Sequence, residues 1–323
     1  MAKAPQALVG GQAVIEGVMM RAPGGVACAV RRPDGTIAVR YDEHVPFTKK
    51  VKPFGLPILR GAATLVEAMV LGTSTLMWSA EESAKEEERR ETKPWEKIGF
   101  GAVTVLSFAF GLFLFFWVPL WLTDLTGVQG RATYNLVDGV FRLAIFFLYL
   151  FLITRWGEMR RVFQYHGAEH MAIFNYEAEV PISVENTRNR PRLHPRCGTS
   201  FLFFVMLVSI FVFALLGKPE TLGERLLRIA FVPVIGGLSY EVIRFSAKIE
   251  NTWLGKALAA PGKALQLLTT AAPDDTQVEV AVASLKVALT GDPNAHAPDP
   301  ELARQAAAAL GGTLAPEFAG GVS

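Results

Sequence analysis

The sequence predicts an α-helical polytopic membrane protein with about four transmembrane helices and a small N-terminal β-containing cytosolic part. Three observations carry that expectation. Four long apolar runs stand out, basic residues gather on alternate connections between them, and an alternating stretch near the N-terminus is broken by an Asp-Gly turn. Hydrophobic residues make up 51% of the 323 residues and charged ones only 19%, which is lean in charge for a soluble chain. A net charge of +2 gives no reason to expect nucleic acid.

Residues 1–52 read as a glycine-rich and hairpin segment. The opening MAKAPQALVGGQAVIEG lacks an apolar core long enough for a signal peptide. GGQAVIEGVMMRAPGG, Gly10 to Gly25, suits a β-strand with glycine corners. A second reading of the same stretch has Glu16 reaching the site in the 155–200 loop and Arg21 fixing an anionic group. ACAVRRPDGTIAVRYDEHVPF places Asp34-Gly35 between two alternating runs, a hairpin signal. Residues 53–97 follow as an apolar, glycine-dotted helix, expected to be interfacial or buried rather than spanning, and a charged, solvated helix over Glu81 to Lys93.

Residues 98–243 form the predicted membrane domain. Its runs are Ile98 to Leu122, Leu136 to Thr154, Phe201 to Leu216 and Leu226 to Ile243. A crossing helix needs about 20 residues. The second run spans if Arg142 snorkels or faces protein. The fourth is interrupted by Pro233, Gly236 and Gly237, tolerable where protein or a cavity covers the backbone. Between runs one and two the only basic residue is Arg131, whereas seven arginines lie between runs two and three. The positive-inside rule then places both termini and the 155–200 loop in the cytoplasm. Residues 244–290 read as cytosolic helices, the last capped by Asp274 or Asp275, and 291–323 as a frayed, flexible tail. The two cysteines, Cys28 and Cys197, are expected to be thiols.

The 155–200 loop carries the chemistry. In YHGAEH, His166 and His170 are four apart and share a helix face. With Glu169 they form His-x-x-Glu-His, the inverted zinc-peptidase pattern of two ligands and a general base. RLHPRCGTSF adds His194 and Cys197, and imidazole and thiolate both suit zinc or another divalent transition metal. Glu177, two turns past His170, is a further carboxylate on the same face. Glu241 in the fourth run either pairs with Arg244 or supplies a ligand from the inner-leaflet end. The bland alternative for the whole cluster is histidines bonded to loop backbone and Cys197 as a small buried hydrophobe.

The segments GQAVIEGVMMR, YHGAEH, VENTRNRPRLHPRCGTSF, GGLSYEVIR and LQLLTTAAPDDTQVEVA resemble the bacterial YqhQ-like family of uncharacterised membrane proteins, from about Gly10 to Leu289. The resemblance implies a bacterial cytoplasmic (inner) membrane location. The family label, "predicted metal-dependent enzyme", names no reaction. His166, Glu169 and His170 fall on its YHGAEH block, and His194, Arg196 and Cys197 on its HPRCGTSF block. Where members often have lysine after the second histidine, this chain has Met171.

The reading is a metal-dependent hydrolase at the cytoplasmic face. His166, His170, His194 and Cys197 are its metal ligands, Glu169 is the base, and Arg192 or Arg196 steadies an oxyanion. If all four donors bind, the shell is closed, which is a structural site. That opens a second reading, a membrane scaffold stapled by a structural metal. A third is a transporter, whose few spans would require a homo-oligomer. In every case membrane lipid is a partner.

Overall fold

The structure is a computed structural model, and it describes residues 8–84, 94–249 and 251–319. Its N-terminal strands β1 (Gly10–Val14), β2 (Gly17–Ala22), β3 (Gly25–Arg31) and β4 (Ile37–Glu43) form an antiparallel meander in that order. The predicted Asp34-Gly35 turn joins β3 to β4: Asp34 Oδ1 accepts from Thr36 N at 2.9 Å, and Gly35 takes a φ of +87°. A two-residue turn, Ile15 and Glu16, joins β1 to β2, with Glu16 at a φ of +50°.

Alternation along β2 and β3 gives the sheet two buried faces. Val18, Met20, Ala27 and Ala29 pack on one side with residues from the histidine helix and a C-terminal helix. Met19, Val26, Cys28 and Val30 pack on the other with Leu71 and Trp78. Those two belong to α2 (Leu59–Ser83), which follows the short α1 (Phe47–Lys50) and a 3-10 turn. The sheet is therefore the middle of three layers. The predicted charged helix lies, beyond residue 84, outside the described residues.

Among the described residues four helical stretches are long and apolar enough to cross a membrane: Gly101–Leu125, Arg131–Ile153, Thr199–Leu216 and Leu222–Lys248. The first joins α3 (Pro94–Leu112) to α4 (Val118–Leu125) through a π turn at Phe113–Trp117. α5 (Arg131–Ile153) is the second and α8 (Thr199–Leu216) the third. α6 (Gly157–Glu177) and α7 (Val184–Thr187) lie between them. The fourth begins and ends beyond its predicted limits and divides into α9 (Leu222–Ala230) and α10 (Val232–Lys248). A Thr221–Glu224 capping box starts α9 early, and Pro233 sits in the first turn of α10, where no N–H is needed.

The glycines of the fourth run admit a helix rather than lining a cavity. A Cβ on Gly237 would lie 2.4 Å from Ile58 O, and Gly61 of α2 faces Gly237 in turn. Gly237→Val is accordingly expected to cost about 1–3 kcal/mol by overpacking, read as a lowered melting temperature in detergent. Arg142 faces protein, as one of its two expected solutions required. Its Nη1 donates to Phe115 O of the π turn at 2.8 Å and its Nη2 to Asp138 Oδ2 at 3.0 Å. Arg228 of α9 reaches the same Asp138 at 3.4 Å, and donates to Asn135 Oδ1 and Gly217 O at 2.8 and 2.7 Å. Phe213 lies 4.9 Å from each guanidinium.

α11 (Trp253–Thr269) and α12 (Asp275–Thr290) complete the predicted C-terminal helices, and Asp274, in a capping box with Gln277, starts α12. The tail is not frayed over its described part. α13 (Pro300–Leu310) and α14 (Pro316–Ala319) form there, with Asp299 as N-cap of α13. The alanines of this tail are a packing face: Ala303, Ala306 and Ala307 are buried. Ala315 N donates to Asp34 O at 3.0 Å, so the tail covers the β3–β4 turn.

Candidate metal centre

α6 is a helix whose second half, Tyr165 to Asn175, is buried on nearly every side, because the sheet and α12 close over it. His166 and His170 stand one turn apart on it, with ring centroids 4.5 Å apart. Each ring is oriented by a backbone carbonyl: Thr269 O lies 2.8 Å from His166 Nδ1, and Arg192 O lies 2.5 Å from His170 Nδ1. Donation from Nδ1–H fixes the tautomer and leaves each Nε2 a free lone pair. His166 Nε2 lies 3.2 Å from Cys197 Sγ. His170 Nε2 is buried with no hydrogen-bond partner. The ligand atoms of His166, His170 and Cys197 all lie within 4.8 Å of one another. A tetrahedral zinc with ligands at about 2.0–2.3 Å sets its donors roughly 3.3–3.8 Å apart, so small side-chain shifts suffice.

Burial sets the charge states. Desolvation, then the neighbouring His166, lowers His170 to about 3, and desolvation lowers His166 too. Both rings are thus neutral and able to ligate at neutral pH. Burial, with the charge of Glu169 adding to it, raises the Cys197 thiol to about 11, eased by bonds from Thr199. Burial raises Glu169 to about 8, eased by the Gly11 N–H. Gly11 must be glycine: a Cβ would fall 2.7 Å from Met19 O and 2.9 Å from Glu169 Cγ.

His194 is buried nearby, 5.8 Å from His170 between ring centroids, but its donors turn away. Nε2 lies 3.3 Å from both Glu177 oxygens, and Nδ1 accepts from Arg196 N at 3.3 Å. Gln266 holds it there, its side-chain amide making reciprocal 2.8 Å bonds with the His194 backbone. Glu177 takes Arg196 as well, so neither reaches the three donors. Arg192 contributes its carbonyl rather than its guanidinium. Glu241 neither pairs with Arg244 nor supplies a ligand; Arg60 of α2 holds it through both carboxylate oxygens, one at 2.6 Å. Glu16 meets Arg161 at 2.6 and 2.5 Å and the Tyr165 hydroxyl at 3.1 Å, tying the β1–β2 turn to α6 just before the first histidine. Arg21 pairs with Glu67 at 3.2 Å. Cys28 lies on the far sheet face, and burial pushes it up to about 12.

Sequence reasoning missed Thr269, Gln266, Gly11 and Gly167. A Cβ on Gly167 would lie 2.3 Å from Ala271 O, so this glycine lets the α11–α12 connection cross α6. Its place between the two histidines was the one available signal.

A family model described as "Protein of unknown function (DUF1385)" matches residues 56–291. The chain belongs to the DUF1385 family. The "Uncharacterized protein YqhQ" of Bacillus subtilis (strain 168) is 38% identical over 296 residues, covering 85% of this chain and 90% of that one. No solved structure matches. The DUF1385 match takes in α2 through α12, and with them all three donors and both orienting carbonyls.

Proposed function

We propose that this DUF1385 protein is a metal-dependent hydrolase at the cytoplasmic face of the membrane. Its zinc, or another divalent transition metal, is held by Nε2 of His166, Nε2 of His170 and Sγ of Cys197. The observation that carries this reading is His170 Nε2, a buried lone pair without a partner, beside two further donors. A buried nitrogen is seldom left so without a ligand. With His194 turned to Glu177, three protein donors leave a fourth position open, which favours a catalytic site over a structural staple. When bound there, the ion supplies Lewis acidity to hydrolysis.

The chain's own residues do the rest. Glu169, held by the Gly11 N–H beside the thiol, in its ionised form takes the proton from water and returns it to the leaving group. The Thr269 and Arg192 carbonyls aim the two rings. Arg196, paired with Glu177, positions the loop that carries Cys197.

Four crossings support the cytoplasmic placement. The two short connections lie together, with Lys218 Nζ 3.3 Å from Gln129 Oε1. The sheet, α6 and α12 share one core at the other end, the arginine-rich one. α2 exposes Val66 and Val70 at 60% and 67%, which suits contact with lipid at the interface. The first candidate span exposes Val105, Leu106 and Phe110, a face open to lipid or to a second copy of the chain.

The test is metal analysis of detergent-purified protein, then activity. About one zinc per chain is expected, falling to background in His170→Ala. Cobalt-loaded protein should show a thiolate charge-transfer band that Cys197→Ser abolishes. Glu169→Gln should keep the metal yet lower ester or peptide hydrolysis about 100-fold or more. Wild-type protein without metal would sink the proposal. Chelation that unfolds a metal-replete protein lacking any hydrolysis would favour the scaffold instead.

A further inference from the structure

A cavity of about 260 Å³ opens between the start of α8, the end of α10 and the first half of α11. Arg196, Arg244, Lys256 and Lys263 all line it. Arg244, Lys256 and Lys263 have no ion-pair partner among the described residues, and they come from two different helices. The nearby carboxylates are already taken: Glu241 by Arg60 and Glu177 by Arg196. Three unpaired cations around one concavity repel one another, and an anion between them relieves that repulsion.

Two further observations give the anion its kind. Ser200, 5% exposed, lines the same cavity, and its Oγ has no hydrogen-bond partner. A hydroxyl beside cations suits phosphate oxygens. Phe204, Ile243, Ala247 and Ala259 supply an apolar part of the wall. The cavity also sits where the third candidate span begins and the fourth ends. We infer that it binds the phosphate head group of an anionic membrane lipid, with the apolar wall taking the start of the acyl chains. The inference does not depend on the metal reading, since the cations would bind phosphate whether or not an ion occupies the histidine site.

The experiment is titration of the full-length protein in detergent with phosphatidylglycerol, with phosphatidylcholine of the same chains, and with inorganic phosphate, followed by native mass spectrometry. Phosphatidylglycerol should bind at least about tenfold more tightly than either of the others. The combined Arg244→Gln, Lys256→Gln and Lys263→Gln variant should lose that preference while its melting temperature and metal content stay unchanged. If the triple variant fails to fold, Lys263→Gln alone, at an exposed position, should weaken phosphatidylglycerol severalfold without moving phosphatidylcholine. Equal binding of the two lipids, or a preference that survives the substitutions, would overturn the inference. Inorganic phosphate binding as tightly as phosphatidylglycerol would also overturn it, by making the ligand a soluble anion.

Discussion

Asp138→Ala is expected to destabilise the protein by about 3–5 kcal/mol, the usual loss when one partner of a buried ion pair is removed. Asp138 is the carboxylate between Arg142 and Arg228, and all three side chains are at most 2% exposed. Its removal leaves two guanidiniums packed against Phe213 with only carbonyls and Asn135 to bond. Neither arginine can reach water easily: Arg142 is midway along α5, and Arg228, in the last turn of α9, is only 2% exposed. Thermal unfolding in detergent is the measurement. Replacing Arg142 with leucine in the same chain should recover part of the loss, because apolar substitutes avoid the desolvation that the pair must offset. A shift below about 2 °C for Asp138→Ala would mean that the network contributes little.

Glu279→Gln should have a comparable effect at the junction of the sheet and α12, where Arg31 and Glu279 pair with side chains 1% exposed. Arg31 also donates to Gly35 O at 2.8 Å, and Glu279 accepts from Asp299 N at 2.6 Å, so the pair joins the sheet, α12 and the tail. Burial alone would raise the Glu279 carboxyl. The His296 ring at 3.6 Å, the Arg31 charge and the Asp299 N–H outweigh it, and the pKa is lowered. A depressed folded pKa gives stability that is present above the unfolded value and lost as pH falls through the folded one. Melting temperature should therefore decline as pH drops below about 4.3, the ordinary glutamate value, and this decline should be shallower in Glu279→Gln. An identical pH profile for the two proteins would remove Glu279 as its source.

What was legible in the sequence is what local rules determine. Apolar length marked the four long helices, Asp34-Gly35 the hairpin, and Asp274 the start of α12. The spacing of His166 and His170 placed both on one helical face. The pairings that arrange the site were not legible, because they join distant segments through groups with no pattern of their own. Gln266 sat in LQLL as one polar residue of an apolar helix, yet it fixes His194 from 72 positions away. Thr269 acts through its carbonyl, which any residue has. Arg60 takes Glu241 from Arg244 because α2 packs against α10, a tertiary fact. VEVAVASLKVAL alternates like a strand, but α12 is a helix buried on nearly every side, wedged between the sheet and α6.

The three-layer core also sets an order of assembly during synthesis. Its first strands leave the ribosome early, while α12 and Glu279, the partner of Arg31 248 positions later, leave near the end. At about 5–20 residues per second that interval is roughly 10–50 s. The long apolar helices are made within it, while the nascent sheet still lacks one of its covering layers. Closure of that core is then the last act, and it brings the Thr269 carbonyl onto a histidine made about a hundred residues earlier.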